Sequence, residues 1–257
     1  MIRTSERYTK WNGDKGTRYY KYIPSNGVKP IGTILFFHGY GERSATDLTL
    51  VDNNGLPNYL KVDGVKDGAE IPFIVLCPQE EPPAEWYSRA IDCVELAKTF
   101  ALPIHKCGLS LGSMVDSEII NHFGVNPFRS IASCCGKINE FPNTITEFGK
   151  VPVISYYDPA DKTVQNGAGY ASTKSVHDKL KAAGKDSTMI EYTGVGHGVW
   201  APAYKPGGAN NYIDWLMSKV NIGVTPIPPV EKEAIREQYI ENGKLVTMGV
   251  NGTKIIN

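Results

Sequence analysis

The sequence predicts an α/β domain: a doubly wound, mostly parallel sheet entered through an N-terminal antiparallel hairpin and followed by a short β-rich C-terminal tail. Apolar runs of strand length recur without polar alternation, which suits parallel strands covered on both faces. Amphipathic helical patterns separate them, and such alternation implies right-handed crossovers. The chain has 257 residues, 41% of them hydrophobic and 10% aromatic, enough to bury a core and too apolar for a disordered chain.

The first element is a hairpin. RYTKW and TRYYKYIP read as strands because Tyr and Thr favour pleated surfaces, and Asn12-Gly13 supplies the turn between them. Buried strands are then expected at Thr33 to Phe37, Ile71 to Cys77, Ile104 to Leu109, Ser130 to Cys135, Val151 to Tyr157 and Met189 to Tyr192. Helices are expected at Tyr87 to Phe100, Leu111 to Phe123, Gly169 to Ala183 and Asn210 to Val220. In the second of these, Leu111, Met114, Val115, Ile119 and Phe123 recur at three- and four-residue steps, which lays one apolar face on the sheet and turns Asp116 away from it. GVTPIPPV has three prolines in eight residues and reads as a stiff linker. The expected organisation is therefore a main domain over 1–221, a linker over 222–230 and an appendage over 231–257. In the appendage, Asn242-Gly243 and Asn251-Gly252 separate β-prone segments, as in a hairpin or a small three-stranded piece.

Composition excludes several classes of function. Lys plus Arg number 27 and Asp plus Glu 27, so no net cationic field exists to hold nucleic acid or an anionic membrane. No apolar run reaches the roughly 18 residues of a membrane span, and the start, MIRTSERYTKWNGDKG, lacks the apolar stretch of a secretory signal. The cysteines (Cys77, Cys93, Cys107, Cys134 and Cys135) are odd in number and lack CxxC spacing. They read as buried reduced thiols, compatible with the cytoplasm. The histidines are equally scattered, with no HExxH or HxH pair. No metal site and no cofactor are expected.

Chemistry concentrates in four places. Gly108-Leu109-Ser110-Leu111-Gly112 matches G-x-S-x-G, with an apolar strand before it and an amphipathic helix after it, the setting of a nucleophile elbow. A serine hydroxyl is a weak nucleophile, so it needs a histidine base and an acid that orients the base. His197, in the glycine-rich TGVGHGVW, is the best placed base; His38 suits a loop organiser, and His105, His122 and His177 sit within or beside regular elements. Asp158 and Asp161 in PVISYYDPADKTV both qualify as the acid, with Asp158 also suited to capping the turn at Pro159. FFHGYGER ends a strand where a backbone N–H joins that of the residue after the nucleophile to bind a developing oxyanion, so Tyr40 and Leu111 are the expected donors. Glu42 and Arg43 are placed to pair across this loop.

Together, FFHGYGER, LCPQEEPPAEW, GLSLGS, PVISYYDPADKTV and YTGVGHGVWAPAY resemble the α/β-hydrolase superfamily over roughly residues 30 to 220. More narrowly, they resemble bacterial esterases described as predicted peptidases, polyhydroxybutyrate-depolymerase-like esterases and feruloyl or acetylxylan esterases. The resemblance implies an α/β-hydrolase fold with Ser110 as nucleophile, Asp161 as acid and His197 as base. It places Trp86 and Trp200 as aromatic walls of a substrate pocket; polar groups of Glu42, Arg43 or Gln79 are then expected to meet substrate hydroxyls at its rim. Two positions depart from the family pattern: Ser113 stands where relatives often have glycine, and Tyr157-Asp158 where many have His-Gly.

The expected function is a serine carboxylic-ester hydrolase acting through an acyl-enzyme on feruloyl or acetyl esters of carbohydrates, or on other short or aromatic esters. A peptidase or thioesterase with the same triad, or a non-catalytic carbohydrate- or partner-binding module on the same scaffold, are the alternatives. The expected partner is a small-molecule or polysaccharide-linked ester, with no nucleic acid and no membrane, and no oligomeric state is implied.

Overall fold

A computed structural model describes residues 1–9, 15–25, 27–60, 69–82 and 86–220, together with the strand courses over 235–241, 244–249 and 254–256. The Asn12-Gly13 turn, the linker at 222–230, and the turns at Asn242-Gly243 and Asn251-Gly252 lie outside the described residues. Two compact units divide the chain, 1–223 and 224–257.

In the first unit, β1 (Ile2–Tyr8), β2 (Thr17–Ile23), β3 (Thr33–Phe37), β4 (Ile74–Pro78), β5 (Ile104–Leu109), β6 (Ser130–Cys134), β7 (Val153–Tyr157) and β8 (Ser187–Glu191) form one sheet. Its order is β1-β2-β4-β3-β5-β6-β7-β8. β1 pairs antiparallel with β2, and β2 with β4; every pair from β4 to β8 is parallel. Helices α1 (Leu56–Tyr59), α2 (Trp86–Lys98), α3 (Val115–Phe123), α4 (Thr144–Phe148), α5 (Ala168–Ala182), α6 (Trp200–Tyr204) and α7 (Tyr212–Val220) connect the strands.

Continuous apolar strands are explained by a core on each face. Ile34 and Phe36 of β3 pack in one core with Tyr204 of α6 and Tyr212 and Leu216 of α7. Leu35 and Phe37 pack in the other with Val94 of α2, Ile119 of α3 and Leu180 of α5. With side chains alternating across the sheet, both sets must be apolar when both faces are covered. The second unit contains β9 (Ile235–Glu241), β10 (Lys244–Gly249) and β11 (Lys254–Ile256), an antiparallel sheet in the order β11-β10-β9.

Several elements depart from expectation for identifiable reasons. The first hairpin strand lies earlier than RYTKW, with Ile2 opposite Ile23 and Tyr8 opposite Thr17. β4 and β7 begin after Pro72 and Pro152, which cannot donate to a ladder. β6 ends before Cys135, whose φ is 45°. The expected helix from Leu111 opens instead as a tight turn over Ser110–Ser113, and α3 starts at Val115. α7 begins at Tyr212, where Asn211 Oδ1 accepts from the amide of Asp214 at 3.0 Å and so caps its first turn.

Asp116 is a correction of larger consequence. It does not point away from the sheet. It is fully buried, pairs with Lys106 of β5 and accepts a hydrogen bond from the Ser133 hydroxyl of β6. Lys106 projects from an apolar strand into the same layer, so the carboxylate on α3 gains a cation within the core. Burial raises the Asp116 pKa, and Lys106 opposes that shift.

All five cysteines are buried free thiols. Among the described residues, no helix is long and apolar enough to cross a membrane.

Candidate active site

β5 ends at Leu109, and the chain turns so sharply that Ser110 takes a φ of 49°, in the left-handed region that most side chains avoid. Close approach to β3 explains the flanking glycines. A Cβ on Gly112 would overlap the carbonyls of Phe37 and His38, and one on Gly108 would lie 2.8 Å from the carbonyl oxygens of Gly112 and Phe37. Ser113 then ties the turn to β6. Its hydroxyl accepts from the Cys134 amide at 2.8 Å and reaches the Gly108 carbonyl at 2.7 Å. Ser113, where the resemblance leads to glycine being expected, is therefore a brace.

His197 lies in a tight turn over Gly196–Val199, beyond β8. Its Nε2 is 2.9 Å from Ser110 Oγ, and its Nδ1 is 2.7 Å from Asp161 Oδ2. Asp161 is 3% exposed, and its other oxygen accepts from the Thr163 amide at 2.8 Å. A carboxylate only accepts, so Nδ1 carries the proton and Nε2 presents its lone pair to the serine hydroxyl. The arrangement is able to draw a proton from Ser110 and to stabilise the imidazolium that results.

Asp158 does not face the imidazole. One carboxylate oxygen accepts from the Ala160 amide at 2.9 Å; the other accepts from the amides of Val195 and Gly196, at 2.9 and 2.8 Å. The amides of Ala160, Gly196, Val195 and Gly194 hold this carboxyl below the usual carboxylate range. It caps the turn at Pro159, as expected, and also reaches the loop of His197, which was not foreseen.

The loop after β3 abuts the serine. A Cβ on Gly39 would come within 3.5 Å of Ser110 Cβ. His38 is fully buried; its Nδ1–H is directed at the Gly39 carbonyl at 2.6 Å, and its Nε2 accepts from the Glu80 amide at 2.9 Å. Burial lowers its pKa to about 4, which keeps the ring neutral. Tyr40 opens the next turn and is 67% exposed, with the Arg43 guanidinium 3.5 Å from its ring centre. Leu111, directly after Ser110, is half-buried. Trp200 sets its ring edge-to-face with His197 at 5.3 Å, and its Nε1 donates to Asn54 Oδ1 at 3.2 Å.

Three expected substrate-contacting residues are engaged elsewhere. Trp86 is 3% exposed and packs on Phe37 and His38, so it is core beneath the β3 loop instead of a pocket wall. Gln79 is fully buried; its amide donates to the carbonyls of Glu42 and Asp47 and accepts from Arg18, which leaves nothing for a substrate. Glu42 is also buried, accepting from Asn54 Nδ2 at 2.5 Å, and Arg43 pairs with Glu80, not with Glu42. A chain Glu42–Asn54–Trp200 thus links the β3 loop to the indole beside His197. Asn54 was missed because its only signal is tertiary. Among the described residues, no group of three or more His, Cys, Asp or Glu side chains is placed to hold a metal ion.

A mostly parallel eight-stranded sheet with helices on both faces, carrying a serine on a strand–turn–helix elbow, is the α/β-hydrolase fold. The chain is similar in structure to a thermostable esterase (19% identity, TM-score 0.65, covering 84% of this chain and 62% of that one). It is likewise similar to the TT1662 protein of Thermus thermophilus (18% identity, TM-score 0.55, 86% and 99% covered). A third likeness is to esterase 2 of Thermogutta terrifontis in a form phosphorylated by paraoxon (14% identity, TM-score 0.52, 85% and 90% covered). The chain spans less than two thirds of the thermostable esterase. No protein-family model matches the sequence, and no curated protein matches it.

Proposed function

We propose that the chain is a serine hydrolase of carboxylic esters, acting through an acyl-enzyme on Ser110. The observation that carries this reading is the hydrogen-bonded line Ser110–His197–Asp161, with its 2.9 and 2.7 Å contacts. Ser110 Oγ attacks the ester carbonyl and passes its proton to His197 Nε2, while Asp161 stabilises the imidazolium. His197 then protonates the departing alcohol, leaving the acyl group on Ser110. Water repeats the sequence and releases the acid. The backbone N–H groups of Tyr40 and Leu111 are the proposed donors to the oxyanion.

For substrate we propose short or aromatic acyl esters, including feruloyl or acetyl esters of carbohydrates. With Trp86 and Gln79 occupied in the core, this reading rests on Trp200, whose ring lies 5.3 Å from that of His197, and on Tyr40, exposed in the loop after β3; flat rings gain from face contact with a sugar or aromatic group. The test is labelling by a fluorophosphonate, with turnover on a panel of p-nitrophenyl esters, feruloyl esters and acetylated xylan. Ser110→Ala should abolish labelling, and Ser110→Ala and His197→Ala should each lower turnover by ~10⁴-fold or more with the fold intact. Labelling of Ser110→Ala at the wild-type rate would remove the serine from the mechanism.

A further inference from the structure

We propose that Asp158 is a positioning residue that sets His197 in register with Asp161 and Ser110, a role that rests on the serine-hydrolase reading of the site. Beyond the β7–β8 ladder, whose last bond runs from the Tyr192 amide to the Tyr157 carbonyl at 2.7 Å, Asp158 joins the acid-bearing turn to the base-bearing loop. On its own side, the backbone carbonyl accepts from the amide of Asp161 at 2.9 Å, and one carboxylate oxygen accepts from Ala160 at 2.9 Å, closing the turn that presents Asp161. Its second carboxylate oxygen crosses to the loop before His197 and takes the amides of Val195 and Gly196 at 2.9 and 2.8 Å. One residue therefore fixes the acid-bearing turn and the base-bearing loop relative to each other.

The loop is anchored at its ends by the Tyr192 amide on the Tyr157 carbonyl and by fully buried Val199, and the stretch between is open. Thr193, Gly194 and Val195 are exposed, and added Cβ atoms on Gly194, Gly196 and Gly198 would meet nothing within 4 Å. Side-chain packing does not immobilise that stretch, so the directional bonds to Asp158 do. The carboxylate is itself 2% exposed, and hydrogen bonds from backbone amides to a buried charged acceptor are stronger than neutral ones. Asp158 occupies the place where the sequence departs from the His-Gly of similar proteins. A glycine there would have no side chain with which to reach the loop.

Misplacing a catalytic group by about 1 Å costs on the order of 10²-fold in rate. Asp158→Ala should lower kcat by roughly 30- to 100-fold with KM within about threefold of wild type, and should slow fluorophosphonate labelling in parallel. Asp158→Asn keeps one acceptor oxygen for Val195 and Gly196, so its loss of kcat should shrink to about three- to tenfold. A second readout is the downfield proton resonance of His197 Nδ1–H, bonded to Asp161. It should persist in Ser110→Ala and be lost or exchange-broadened in Asp158→Ala, with Asp158→Asn in between.

If Asp158→Ala folds and keeps kcat per labelled molecule within threefold of wild type, or retains a sharp resonance, the positioning role is wrong. Should Asp158→Ala fail to fold, the same readings on Asp158→Asn decide, and wild-type kcat and a sharp resonance there overturn it. Failure of the underlying reading looks different: the wild-type protein would not label, or Ser110→Ala would label equally, whatever the resonance reports about Asp158.

Discussion

The turn that carries Ser110 and the loop that carries His197 meet across one 2.9 Å hydrogen bond and are held by different means. At the serine, glycine is needed because there is no room: Cβ atoms on Gly108 and Gly112 would run into backbone of the turn and β3. At the glycines around the histidine there is open space, and Gly194 and Gly196 are needed because their φ angles are 78° and 56°. Below the serine, a buried ion pair between Lys106 and Asp116 joins the strand before the turn to the helix after it. Beside the histidine, backbone amides bond to a carboxylate. The serine side is built by packing, the histidine side by hydrogen bonds. Damage to the first should therefore register as lost stability, and damage to the second chiefly as lost rate.

The largest expected effect lies under the serine. Lys106→Met strands a buried carboxylate and should cost about 3–5 kcal/mol in urea unfolding, whereas Lys106→Met with Asp116→Leu should recover most of that loss. A single variant as stable as wild type would show that the pair does not hold the elbow.

A glycine series sharpens the contrast. Gly112→Ala presses a methyl group on rigid backbone and should destabilise by about 3 kcal/mol. Gly196→Ala must hold alanine at a left-handed φ and should cost about 1–2 kcal/mol. Gly198→Ala, at φ −77° in open space, should change stability by no more than about 0.5 kcal/mol. Unfolding midpoints that failed to rank in this order would undo the distinction between crowding and conformation.

Acid separates the two sides again. His38, under the loop beside Ser110, has a folded pKa of about 4 against an ordinary value of 6.5, so between these values the unfolded chain binds more protons and stability falls as pH drops. At pH 5 this amounts to about 2 kcal/mol. His105, buried in β5 and also held near 4, adds a similar loss away from the site. Asp158 acts with the same sign in a lower window: its folded pKa is lowered, so its contribution is present above the ordinary carboxylate range and is lost only as pH falls through and below that range. Between pH 7 and 5, the drop in unfolding free energy should shrink in His38→Gln and stay at its wild-type size in Asp158→Asn.

The sequence made the sheet legible because each strand from β3 to β7 is a mostly apolar run, as strands buried on both faces require. It made Ser110 and His197 legible because their glycines record local backbone demands. Choosing between Asp158 and Asp161 by spacing needed a resemblance, since two carboxylates three residues apart present the same local signal. Trp86 and Gln79 misled because an indole or an amide near a site reads the same whether it faces substrate or core; what decides is the partner, here Phe37 and His38 for one and two carbonyls for the other. Asp116 misled for a related reason. Helical periodicity assigns a charge to the solvent face, and only the lysine inside the apolar run IHKCGL hinted at a buried partner.

The left-handed backbone at Ser110 has an evolutionary consequence. A non-glycine residue held at positive φ costs roughly 1–2 kcal/mol, and glycine escapes that cost. Position 110 is thus a site where drift toward greater stability runs directly against retention of a hydroxyl. A lineage released from selection for a hydroxyl at position 110 would gain stability by replacing the serine with glycine, while the packed elbow around it stayed intact. Descendants without the hydroxyl are accordingly only one substitution away, and its loss would leave the fold firmer than before.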